Sequence, residues 1–200
     1  MSRQWSSRLQ AEVKVELRGV AAGKPTFHGR ACPYDSWSNV LAPSKGDRPN
    51  GRPFKERFAP GAFDSSLAKA DVIATWNHNP HYLLGRTGSG TLRLTSEKDG
   101  LYVECDRIST TYADDLQKLI DRGDIDGMSF QFLTIADDVT AGRDYDEVVI
   151  KQAHVREVSF VTRPAYPASA AGVRAEDGVV IPAHRIDPAH LALLRKLSEM

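Results

Sequence analysis

The sequence predicts a strand-rich α+β domain, and three observations carry that prediction. Segments with apolar residues at every second position recur along the chain and outnumber those of helical period. Clusters of Gly, Pro, Asn and Asp separate them at short intervals. Thr110 to Arg122, with Asp114 and Asp115 in an early turn and Gly123 after its end, is the most secure helix. A small, mostly antiparallel, barrel-like body with a few helices and a detachable tail fits this pattern.

Glu12 to Arg18 opens the series: Val13, Val15 and Leu17 alternate with charged residues, the mark of a half-buried strand. After the turn Gly23-Lys24-Pro25, Thr26 to Ala31 returns as a second short strand. Asn39 to Pro53 is rich in Pro, Gly and charge and reads as a mobile surface loop. A short helix follows over Ala62 to Ala70. Asp71 to Asn77 is a buried strand that runs into the turn His78-Asn79-Pro80. Thr91 to Thr95 and Leu101 to Asp106 are two strands joined by Glu97-Lys98-Asp99-Gly100, with Leu101, Val103 and Cys105 on one face. In the helix from Thr110, Tyr112, Leu116, Leu119 and Ile120 share a side. Met128 to Thr134 is a strand followed by an acidic turn region, and further strands cover Glu147 to Gln152 and His154 to Val161. The body is thus expected over residues 1–167, an Ala/Pro-rich linker over 168–186, and an amphipathic helix over 187–200 carrying Leu191, Leu194 and Leu197.

Composition narrows the function classes. With 26 Lys+Arg against 26 Asp+Glu the formal charge is zero, so nothing global draws the chain to nucleic acid or a membrane surface. No apolar run approaches the roughly 18 residues of a membrane span, and Met1 to Gln10 is polar, unlike a secretory signal. Cys32 and Cys105 are too few for a disulfide framework or a cysteine zinc site. A reducing, cytoplasmic setting is expected, and no cofactor is implied.

Three side chains are candidates for chemistry. Ser129 opens a strand beside Gly127, with Met128, Phe130 and Phe132 on the opposite face. His78 lies at the end of the Asp71 to Asn77 strand, and its imidazole suits proton transfer near neutral pH. Glu157 falls on a strand face with Val155, Ser159 and Val161, where a carboxylate needs a partner; an imidazole N–H would supply one. Taken singly, each has an ordinary structural reading: a serine ending a turn, an exposed turn histidine, a salt-bridged glutamate. His81, three residues after His78, suggests a metal pair, but no zinc motif accompanies it. Ser159 is a second possible nucleophile, although its position inside a strand suits a hydroxyl bonded to a neighbour.

Together, three stretches resemble the prohead (procapsid maturation) serine proteases of tailed phages. They are Phe58-Ala59-Pro60-Gly61-Ala62-Phe63 with Trp76-Asn77-His78-Asn79-Pro80; Asp126-Gly127-Met128-Ser129-Phe130-Gln131-Phe132; and Glu157-Val158-Ser159-Phe160-Val161-Thr162-Arg163-Pro164-Ala165-Tyr166-Pro167. Their order and spacing agree over roughly residues 10–175. The resemblance implies a fold similar to the herpesvirus assemblins, a closed and mostly β barrel surrounded by helices. It implies a serine endopeptidase that cuts scaffold segments from the major capsid protein precursor, and often itself, within the prohead in the host cytoplasm. Carried over by position, Ser129 is the nucleophile, His78 the general base and Glu157 the residue that orients it. His154 is the rival for the third place, since assemblins use a second histidine there. An odd separation puts His154 and Glu157 on opposite strand faces, so one alone should reach His78. Thr162 and Arg163 are the expected oxyanion support. Assemblins act as dimers, which implies a possible homodimer. The competing function is a non-catalytic scaffold or capsid-assembly module that keeps the protease fold.

Overall fold

The computed structural model describes residues 6–7, 10–12, 26–42, 51–162, 166–174 and 180–182. The expected strand beyond Glu12, most of the loop from Asn39 to Pro53, Arg163 and the helix over 187–200 lie outside them. Among the described residues twelve strands and two α-helices follow one another: β1 (Ser6–Ser7), β2 (Gln10–Glu12), β3 (Thr26–Pro33), β4 (Phe54–Phe58), α1 (Asp64–Leu67), β5 (Ile73–Trp76), β6 (Asn79–Arg86), β7 (Leu92–Glu97), β8 (Gly100–Asp106), α2 (Thr111–Arg122), β9 (Gly127–Thr140), β10 (Asp146–Val161), β11 (Tyr166–Arg174) and β12 (Val180–Pro182), with a 3₁₀ turn over Thr87–Ser89.

The strands form two six-stranded sheets. One runs β1-β9-β10-β5-β6 with β4 also on β10; the other runs β12-β11-β3-β8-β7 with β2 also on β11. Among the described residues, pairing is antiparallel except at β4–β10, β5–β10 and β2–β11. The strand-rich α+β class is therefore as expected, but no closed barrel is found: among the described residues each sheet ends in unpaired edges, at β1 and β6 and at β12 and β7.

Sheet one is organised by β10. Along its whole length it pairs with β9; on its other side it takes β4 at Asp146 to Ile150 and β5 at Glu157 to Phe160. Sequence patterning suggested two strands here and an acidic turn after Thr134. Instead β9 and β10 are each continuous, and register shifts at Gln152 and Arg156 absorb the breaks in alternation. The core lies between the sheets. Phe58 sits at its centre, 5.0 Å from Phe63, 5.3 Å from Phe130 and 4.9 Å from Phe132, the last two edge-on. Phe27 of sheet two meets Phe160 of sheet one at 5.6 Å. At Gly85 the close approach is tighter still, since a Cβ there would stand 2.6 Å from Cys105 Sγ.

Helix α2 forms as expected. Thr110 caps it by accepting from Ala113 N–H, Gly123 ends it in the left-handed region at φ 83, and Ala113, Leu116 and Ile120 are buried. Helix α1 is shorter than the Ala62 to Ala70 segment expected. The segment expected as a linker from residue 168 begins inside a strand. Residues 166–174 are strand, and Ala170 to Arg174 pair with Thr26 to Arg30 of β3. Small alanines fit here because β11 is an interior strand of sheet two; Ala171 is buried.

Candidate active site

His78 is held by a two-residue hairpin. Trp76 of β5 pairs with Asn79 of β6, and between them Asn77 and His78 have φ 52 and 56. Two left-handed residues make a type I′ connection, which Asn tolerates and His adopts only when neighbours over-determine it. The neighbours are visible. Asn77 N–H donates to Phe160 O at 2.9 Å, His78 N–H to Ser159 Oγ at 2.8 Å, and Thr162 N–H to Asn77 Oδ1 at 3.3 Å. The turn is thus Asn77-His78, one residue earlier than the expected His78-Asn79-Pro80, and β6 resumes at once.

Glu157 and Ser129 arrive on the two central strands. Across sheet one the register lines up Leu83, Thr75, Ser159 and Ser129 in one row and Arg86, Ile73, Glu157 and Gln131 in the next. Both rows lie on the face away from the core, because Ala74, Val158 and Phe130 alternate with them and are buried inward. Val155 pairs with Phe132 and belongs to the core side. The extra residue Arg156 causes this: strict alternation would group Val155 with Glu157, and the bulge reverses it. It also reverses the expectation for His154, which pairs with Leu133 while Glu157 pairs with Gln131. Leu133 and Gln131 are two apart, so His154 and Glu157 share a face. The bond to His78 nevertheless comes from Glu157.

Glu157 Oε2 lies 2.9 Å from His78 Nδ1, and Oε1 accepts from Thr75 Oγ1 at 2.5 Å. Its side chain is 7 % exposed against 29 % for His78. An ionised carboxylate only accepts, so beside one Nδ1 is the donor, and the tautomer of the neutral ring that fits this contact has its lone pair on Nε2. Ser159 donates to Thr75 O at 3.2 Å and receives the His78 N–H, so its hydroxyl is spent on the backbone, as its strand position suggested. Ser129 stands one strand over from Ser159 and is 4 % exposed. Among the described residues no hydrogen bond joins its hydroxyl to His78. The Thr162 N–H, expected to serve an oxyanion, is committed to Asn77.

An open groove of about 680 Å³ runs over this face, lined by Asp71, Ile73, His78, Pro80, Leu83, Arg86, Gln131, Arg156 and Glu157. Arg86 is tied to Asp71 by paired hydrogen bonds, which hold the Asp71 carboxyl below its usual range. His81 stands exposed on β6, its N–H bonded to Asn79 Oδ1. Sequence reasoning missed Thr75 and Asn77. The signal for Asn77 was Asn-His between two extended runs, a residue pair suited to a positive-φ turn; nothing local marks Thr75.

An imidazole fixed by a buried carboxylate, with a serine on the neighbouring strand, has the make-up of a serine-hydrolase site. The chain belongs to the caudovirus prohead serine protease family, whose model matches residues 11–180. At that level it is a capsid-maturation protease. Comparison with curated proteins and with solved structures returned no match.

Proposed function

We propose that the chain is a serine endopeptidase that cuts scaffold segments from the major capsid protein precursor inside the prohead, in the host cytoplasm, and then cuts itself. The observation that carries this reading is the 2.9 Å pairing of His78 Nδ1 with buried Glu157, one strand from Ser129. Ser129 Oγ attacks the scissile carbonyl as its proton passes to His78 Nε2. Glu157 steadies the resulting imidazolium, and His78 then protonates the leaving amine. Water repeats the sequence on the acyl-enzyme. Arg163 supports the developing oxyanion. A substrate strand lying in the groove would meet the apolar floor of Ile73 and Leu83 beside His78. Self-cleavage falls beyond Arg174, because residues 166–174 are paired within sheet two.

The test is a time course of intact mass for wild type, Ser129→Ala and Arg163→Ala, alone and co-expressed with the capsid precursor. Wild type is expected to shorten itself and the precursor, Ser129→Ala neither, and Arg163→Ala both slowly. Equal cutting by wild type and Ser129→Ala would remove Ser129 as the nucleophile.

A further inference from the structure

Behind the His78–Glu157 pair lies a fully buried hydroxyl with no role so far. Thr75 is in the middle of β5, wholly inaccessible to solvent, and donates to Glu157 Oε1 at 2.5 Å. Its Oγ1 also lies 3.1 Å from Ser159 Oγ, the group that receives the His78 backbone N–H. Resting on the serine-peptidase reading above, we propose that Thr75 is a positioning residue: it locks the Glu157 carboxylate so that Oε2 holds His78 in the Nδ1–H tautomer.

Three physical arguments support this. First, a glutamate carboxylate has a broad terminal torsion, and one bond to His78 would leave it free to rotate about that contact. The second bond, from a β-branched side chain that is stiff at χ1, fixes the carboxylate plane. Second, Glu157 is 5 % exposed, so Oε1 without Thr75 would be a buried charged acceptor with no donor. Third, packing alone does not call for a hydroxyl. Valine has the same shape, a comparable strand preference and no polar atom to satisfy, so a buried threonine here is explained by its proton rather than by its volume. Thr75 therefore stands where the side-chain and backbone anchors of His78 converge.

The experiment uses the full chain and two readouts. One is the labelling rate of Ser129 by a fluorophosphonate, in which the Oγ–P bond forms, fluoride leaves and the serine proton passes to His78. The other is the ¹⁵N signature of the His78 ring at a pH where the imidazole is neutral. Thr75→Val is expected to label about tenfold to a hundredfold more slowly and to lose the pure Nδ1–H signature; Thr75→Ser is expected to restore both. Should Thr75→Val fail to fold, Thr75→Ala removes the same proton and carries the same expectation. Wild-type labelling with an unchanged ring signature overturns the proposal. So does slow labelling with an unchanged signature, which would make Thr75 a packing residue. If wild type and Ser129→Ala label alike, the nucleophile assignment fails, and the ring signature still decides for or against Thr75.

Discussion

Cys32 and Cys105 are wholly buried, Cys105 as the alternation of Leu101, Val103 and Cys105 indicated. Their chemistry follows from that burial. Desolvation pushes the Cys105 thiol up to about 12 and raises Cys32 well above its ordinary value of 9.0. Tyr34, also mainly by desolvation, is raised from 10.0 to about 12. Each group is neutral when protonated, and the folded state resists its ionisation more than the unfolded chain does. Their contribution to stability is thus fully present below the unfolded values near 9 and 10 and is lost as pH rises toward 12. The melting temperature is expected to hold up to about pH 9 and to fall steeply above it, with both thiols inert to iodoacetamide at pH 8 until the protein unfolds. Rapid alkylation of the native chain, or a melting curve flat to pH 11, would contradict this. At this scale the sequence was informative where a residue's burial follows from simple alternation. It was silent on Thr75, because a hydroxyl that bonds a carboxylate 82 residues away leaves no local pattern.

Among the places where elements depart from sequence expectation, two irregularities serve the site. The turn falls at Asn77-His78, one residue before the one expected, and the Arg156 bulge turns Val155 inward and His154 outward. Neither is visible to a rule that counts in twos: a bulge is one residue of offset, and its position depends on the partner strand. The turn's strain is borne by the end of β10, so stability and site geometry are coupled there. Ser159→Ala removes the acceptor of the His78 N–H and is expected to cost about 1–3 kcal/mol while also slowing catalysis. Asn77→Gly keeps the left-handed conformation at lower strain and loses only the exposed bond to Thr162, so its cost is expected to stay within about 1 kcal/mol. Urea unfolding of the two variants tests the ranking. A Ser159→Ala chain as stable as wild type would show that the turn holds its shape without this bond.

At the scale of the whole molecule, the strand-rich class was legible because half-buried strands announce themselves in period two. The sheet order was not, because β10 recruits β4 and β5 from far earlier in the chain and on one side. The strand over residues 166–174 was not legible for a related reason. Alanine and proline after Pro164 imply a linker by composition, yet β11 lies between β3 and β12, and Tyr166 reaches into the first sheet's aromatic cluster beside Phe58 and Phe130. Removing residues from 168 onward would strip β3 of its pairing from Thr26 to Arg30 and open one edge of a strand all eight residues of which are buried in the intact fold, His28 and Arg30 included. A chain ending at Pro167 is therefore expected to lose its cooperative melting transition or to aggregate. A chain ending at Pro182, which retains β11 and β12, is expected to melt within a few degrees of the full chain, roughly the shift that 1 kcal/mol produces at this size. Differential scanning calorimetry of the two truncations decides the matter: a residue 1–167 chain that melts like the full protein would make β11 dispensable and return residues 168–174 to the role of a tail.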